Sequence, residues 1–244
     1  DLVAGNDINP FALLLCKVKT TRLDYPKLKR SCELLLENVH NRLCANKEAL
    51  EKVDTYISET LELDISAKKG WADDAPSLLL EFCNINKLDI QIPDFKNIGY
   101  WFRPRVILEL AIIKSEIHRV ADFDIRDFMF VAMSESIRLV SNRRNGEFKM
   151  FRMPAPKVLT FKPDAYTEFS SILLRNVEKM KDFCDALDKN AVVPKTTIYS
   201  NNTCTLEDVP DNSFDLVITS PPYGDSRTTV AYGEYSRLSL QWIN

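Results

Sequence analysis

An α/β fold, with short strands near both ends and a large, mainly helical insertion between them, follows from three observations in the 244-residue chain. Phe214, Leu216, Val217 and Ile218 form an apolar run entered from an Asp-Asn-Ser turn and stopped by Pro221 and Pro222, the pattern of a short buried strand. Thr196 to Tyr199, after Pro194, has the β-branched and aromatic content of another strand, and Leu2-Val3-Ala4 resembles the tail of a third. Between them, apolar residues recur with helical period through several long segments.

Gly5 to Asn9 forms a turn into a helix of about Pro10 to Lys19, with Asn9 placed to cap it and Pro10 suited to its first turn. Asp7 then stands at the carboxyl end of a strand, where nucleotide-type folds accept ribose hydroxyls; the plainer role of an Asp in front of a helix is a cap. From Leu34 on, Leu36, Val39, Leu43, Leu50, Val53 and Ile57 mark one face of a single helix of roughly thirty residues, an arm or helical hairpin crossing a domain. Gly70, Pro76, Pro93 and Gly99 punctuate a looser region holding one short helix at Ser77 to Cys83. Tyr100-Trp101-Phe102 beside Pro104 is assigned to packing. Helices follow at about Val106 to Val120, Asp124 to Val140 and Asp164 to Leu187.

Composition narrows the function classes. A 45% apolar content is that of a folded chain, and the longest apolar run, Val106 to Ile113, is too short to span a membrane. A net charge of −3 argues against wholesale polyanion binding, so any nucleic-acid contact needs a local basic surface. The stretch around Arg138, Arg143, Arg144, Lys149 and Arg152 supplies one, suited to phosphate neutralisation and guanine reading; its plainer reading is a solvated helix end. The six cysteines have neither zinc-type spacing nor a secreted disulfide pattern, which fits reduced thiols in a cytoplasm. His40 and Cys44, four apart on a helix, lack a nearby second pair, so no metal is expected.

The Pro-Pro corner carries the chemistry. Two prolines fix φ twice and hold the chain extended as it leaves the strand, at the carboxyl edge where α/β sheets bind ligands. Ser220 and the Pro221 carbonyl, set side by side, can accept hydrogen bonds from both protons of an exocyclic amine, while the Tyr223 ring offers a stacking face. Drawing off those protons restores density on a nitrogen otherwise delocalised into its ring, preparing it for in-line attack. The alternative, Pro-Pro-Tyr as a polyproline ligand of an aromatic groove, needs disordered polar flanks; here the apolar run precedes it and Leu238, Leu240, Trp242 and Ile243 follow.

Thr219-Ser220-Pro221-Pro222-Tyr223 resembles the catalytic motif of the DNA amino-methyltransferases, which move a methyl group from S-adenosyl-L-methionine to N4 of cytosine or N6 of adenine. Gly224 to Gly233 is similar to the segment after that motif in one bacterial modification-methylase group, and Arg138 to Arg152 to a segment between its two halves. Asp7 to Leu15, with Lys17 to Thr20, is similar to the segment after the glycine-rich cofactor loop.

The resemblance implies a partial Rossmann-like S-adenosylmethionine-dependent methyltransferase fold with a large, mainly helical insertion. It implies S-adenosyl-L-methionine as cofactor, held by Asp7, Ile8, Asn202 and Thr219, and catalysis by Ser220, Pro221, Pro222 and Tyr223. A Ser in the motif's first variable place is more typical of N4-cytosine enzymes. Double-stranded DNA is the implied partner, met by Arg138, Arg143, Arg144, Lys149, Arg152 and Arg227, with the target cytosine flipped out. A cognate restriction endonuclease of the same system is a further implied partner, without stable binding, and the implied setting is cytoplasmic. Where the family has a Gly-Asp or similar pair against the adenine, this chain has Asn201-Asn202-Thr203.

The glycines fall at 5, 70, 99, 146, 224 and 233, so no G-x-G turn is present. The family places that loop one strand and one helix before Asp7, and the expectation is a chain incomplete at both ends. Its parts are then a partial cofactor-binding half at 1–24, a DNA-engaging insertion at 25–194 and a partial catalytic half at 195–244. An N6-adenine enzyme, a DNA-specificity subunit without catalysis and an RNA substrate stay open. C5-cytosine chemistry is excluded as far as this chain goes, because none of the six cysteines follows a proline.

Overall fold

The computed structural model describes residues 2–61, 74–146, 150–190, 195–219 and 232–243. These residues are mostly helical, with one small parallel sheet. Strand β1 (Leu2–Asn6) leads through a tight turn into α1 (Pro10–Thr20), whose cap is as expected: Asn9 Oδ1 accepts from Phe11 N at 3.0 Å. Strand β2 (Lys195–Tyr199) pairs with β1 in parallel, with Asn6 opposite Tyr199. Parallel pairing requires a crossover, and here nearly the whole chain supplies it.

The helix expected from Leu34 to Ile57 is two helices. Helix α2 (Tyr25–Ala45) starts earlier, capped by Asp24, whose Oδ1 accepts from Lys27 N. Asn46 stops it, because its side-chain Nδ2 donates to Arg42 O at 2.7 Å and its backbone leaves the helical region, after which α3 (Lys47–Leu61) begins. An Asn bonding back to the preceding turn competes with the helix ladder, a local effect that apolar periodicity does not register. Leu34 itself lies on the exposed side.

Helix α4 (Ala75–Ile85) and the single turn α5 (Ile98–Trp101) precede α6 (Pro104–His118), which is apolar nearly all round and occupies the centre. Helices α2, α3, α7 (Phe123–Val140) and α9 (Ala165–Asn190) pack around it, and the short α8 (Ala155–Thr160) lies between the last two in sequence. Two carboxylates on α6 are buried, and each is held by cations. Glu116 accepts from Arg42 at 2.7 Å and Arg119 at 2.8 Å, and Glu109 from Arg105 at 2.6 Å and the Ala165 amide at 3.2 Å.

The last described element, α10 (Tyr232–Ile243), drives Trp242 into this core, edge-on to Phe102 and Phe95. Phe102 is fully buried, in keeping with its assignment to packing. One contiguous core therefore joins Val18 and Leu23 at one end of the chain to Leu238 and Trp242 at the other.

The 214–218 run departs from expectation. It is not a buried strand: Leu216, Val217 and Ile218 are 75%, 77% and 88% exposed, without regular structure. A strand buried on both faces needs ladder partners and covering layers, and among the described residues the sheet has two strands, neither of which pairs with it. No helix among the described residues is long and apolar enough to cross a membrane.

Candidate active site

The parallel register brings the carboxyl ends of β1 and β2 side by side. Asp7 N donates to Tyr199 O across that end at 3.3 Å. The Asn6 amide then clasps the chain leaving β2, accepting from Asn201 N at 2.9 Å and donating to Asn201 O at 3.1 Å and Thr203 Oγ1 at 3.3 Å. Two of the expected cofactor positions are thereby set close together. Asp7 is exposed, its Oδ1 accepting from Asn9 N at 2.8 Å; Asn202 is exposed, its Oδ1 accepting from Cys204 N at 3.0 Å. Ile8 is exposed beside Asp7. Thr219 is exposed at the far end of the unpaired run, and Ser220, Pro221, Pro222 and Tyr223 lie outside the described residues.

Helix α10, which follows that motif, is tied by polar contacts to this edge, to the basic stretch and to α7. Asn9 Nδ2 donates to Ser236 Oγ at 3.0 Å, Glu234 Oε2 accepts from Met150 N at 3.0 Å, and Ser239 Oγ donates to Ser134 O at 3.0 Å. The Tyr235 ring receives the Arg138 guanidinium at 4.6 Å and that of Arg143 at 5.2 Å. A groove of about 670 Å3 opens beside them, with Phe11, Leu15, Phe128 and Met180 on its walls and Arg138 and Tyr235 at its edge.

The basic stretch divides into inside and outside residues. Arg143 and Arg152 pair in an antiparallel bridge, and both face inward. Arg143 is 2% exposed, and Arg152 donates from Nε to Tyr100 O at 2.9 Å with its guanidinium over the Tyr100 ring. Burial disfavours the charged form of both, lowering their pKa, although guanidinium stays protonated at neutral pH. Bridge pairing turns both side chains into the protein, away from the open surface on which DNA contact was expected of Arg143 and Arg152. Arg144 is exposed and Arg138 half-buried, while Lys149 and Arg227 lie outside the described residues.

Sequence reasoning missed Asn6, Tyr235 and Ser236. An Asn ending a strand and a Tyr at a helix start are common, and only the fold reveals what they touch. His40 and Cys44 do approach, Nε2 to Sγ at 3.4 Å, but among the described residues no group of three or more metal-ligating side chains assembles. Burial pushes the Cys32 thiol up to about 12 and that of Cys83 to about 11, so both are inert.

The whole chain resembles a bacterial methylase. It is 34% identical over 244 residues to the Type II methyltransferase M.MvaI of Kocuria varians, a match that takes in 99% of this chain and 46% of that protein. The chain thus spans a little under half the length of that relative. No family model matches the chain, and no solved structure matches it.

Proposed function

We propose that the protein is a site-specific DNA methyltransferase of a restriction-modification system, transferring a methyl group from S-adenosyl-L-methionine to N4 of a flipped-out cytosine. The observation that carries this reading is the 34% identity to a Type II methyltransferase along 99% of the chain, with Thr219-Ser220-Pro221-Pro222-Tyr223 inside it. The strand ends add support. In a Rossmann-like sheet of order 3-2-1-4, β2, β1 and the 214–218 run would take places three, two and four, and place one belongs to chain outside the described residues.

The donor set at the strand ends suits the cofactor. Asp7 has a carboxylate oxygen beyond its turn contact to accept ribose hydroxyls, and Asn202 offers an amide N–H and a second lone pair to an adenine edge. S-adenosyl-L-methionine supplies an electrophilic methyl group on a sulfonium. Ser220 Oγ and the Pro221 carbonyl accept hydrogen bonds from the two N–H groups of the target amine, one of whose protons leaves to solvent as the methyl group passes from sulfur to nitrogen; Pro222 keeps the corner rigid, and Tyr223 stacks on the base. Amine and methyl donor meet at the sheet edge only once the base has left its duplex.

Product analysis tests this. The full-length protein is incubated with DNA and methyl-labelled cofactor, and the nucleosides are separated; N4-methylcytosine is expected. N6-methyladenine would replace the target base, and no transferred label would sink the proposal. Ser220→Ala should cut transfer by roughly a hundredfold, as loss of one oriented acceptor does elsewhere, with DNA affinity unchanged.

A further inference from the structure

We propose that the cavity of about 400 Å3 between the Arg143–Arg152 ribbon and α8 binds one phosphodiester of the DNA backbone, an assignment that rests on the DNA-directed reading above. Its lining gathers Arg143, Arg144 and Lys157 with Asn145 and the apolar Met153 and Phe161, and no carboxylate is among the described residues that line it. Three cations around one cavity, in a chain of net charge −3, are a local reversal of sign that favours an anion.

The walls are rigid. On the ribbon side, Arg144 N donates to Phe151 O at 2.8 Å and Met153 N to Asn142 O at 2.7 Å, while Asn142 N is fixed to Trp101 O at 2.7 Å. On the other side, Arg103 Nη1 donates to the carbonyls of Val158, Leu159 and Phe161 at the end of α8. That grip holds the backbone from which Lys157 extends.

Side chains alternate along the ribbon, so Arg143 turns inward, its guanidinium over the Tyr235 ring, while Arg144 turns outward. Arg144 and Lys157 are both exposed, leaving the rim open to a phosphate that continues into a chain on either side.

The test uses the full-length protein, with DNA affinity measured by fluorescence anisotropy across a salt series. Arg144→Ala and Lys157→Ala should each weaken binding roughly fivefold and reduce the slope of log K against log salt by about 0.9, one phosphate contact apiece. Lys29→Ala, on the exposed side of α2, should change neither, and unchanged melting temperatures exclude unfolding. Parental slopes in both cavity variants, with DNA still bound, would overturn the pocket and leave the methyltransferase reading standing. A wild-type protein that does not bind DNA would overturn both. Titration with inorganic phosphate separates the sources: variants that lose phosphate affinity but keep the DNA slope would make this a free-anion site, against the proposal.

Discussion

Arg103 joins three parts of the fold, and its removal should be felt in all of them. Its Nε donates to Asp54 Oδ2 on α3 at 2.9 Å, its Nη2 reaches the same oxygen at 2.9 Å, and its Nη1 serves three carbonyls ending α8. The side chain is 13% exposed and that of Asp54 24%. Breaking a fully buried pair costs about 3–5 kcal/mol, whereas an exposed one contributes about 0–1. Asp54 keeps the Arg105 amide at 3.0 Å, and water reaches the end of α8, so Arg103→Ala should cost about 2–3 kcal/mol. In a chain of this length that lowers the melting temperature by roughly 4–12 °C, measured by circular dichroism at the helix band. Arg103→Lys should fall between, since an ammonium can hold Asp54 but lacks the fork for three carbonyls. An Arg103→Ala melt within about 1 °C of the wild type would refute the reasoning and place this pair among exposed ones.

Two further outcomes follow from the geometry. Asp7→Asn keeps the acceptor for Asn9 N but removes the charge offered to ribose hydroxyls, so cofactor affinity by calorimetry should fall roughly tenfold to a hundredfold while DNA affinity holds; equal cofactor affinity would return Asp7 to a turn residue. Burial raises the Glu109 carboxyl above its ordinary value, against the opposing pull of Arg105. The folded state therefore binds that proton more tightly than the unfolded chain, and stability declines as pH rises from the ordinary glutamate value through the raised one. Glu109→Gln should remove that decline from urea-unfolding free energies between about pH 4 and pH 7, and identical pH profiles would count against it.

Much of the helical architecture was legible because burial leaves a period in the sequence. The positions of α1, α6, α7 and α9, and of β2, follow from apolar spacing, Asn9 and Pro10, and β-branched residues, with ends shifting by a few residues. The break at Asn46 was not legible, since a single side chain-to-backbone bond decides it. The basic stretch was visible as composition, but composition does not say which cations face inward. That sorting came from the Arg143–Arg152 bridge, whose register sends alternate side chains to opposite faces. At the candidate site, Asp7 and Asn202 were singled out by type and position as cofactor candidates, while Asn6, which ties their segments together, carried no signal of its own.

The sequence by itself determined the helical content and the residue types on which the methyl-transfer proposal stands, because helical content depends on local backbone restriction and on periodic burial. Only the tertiary structure decided that residues almost two hundred apart meet at one sheet edge, that Arg143 is a wall and Arg144 a surface group, and that Lys157 stands across from them. The physical reason is that pairing register and packing are set between segments, and a chain records its own periodicities far more directly than the neighbours it will meet.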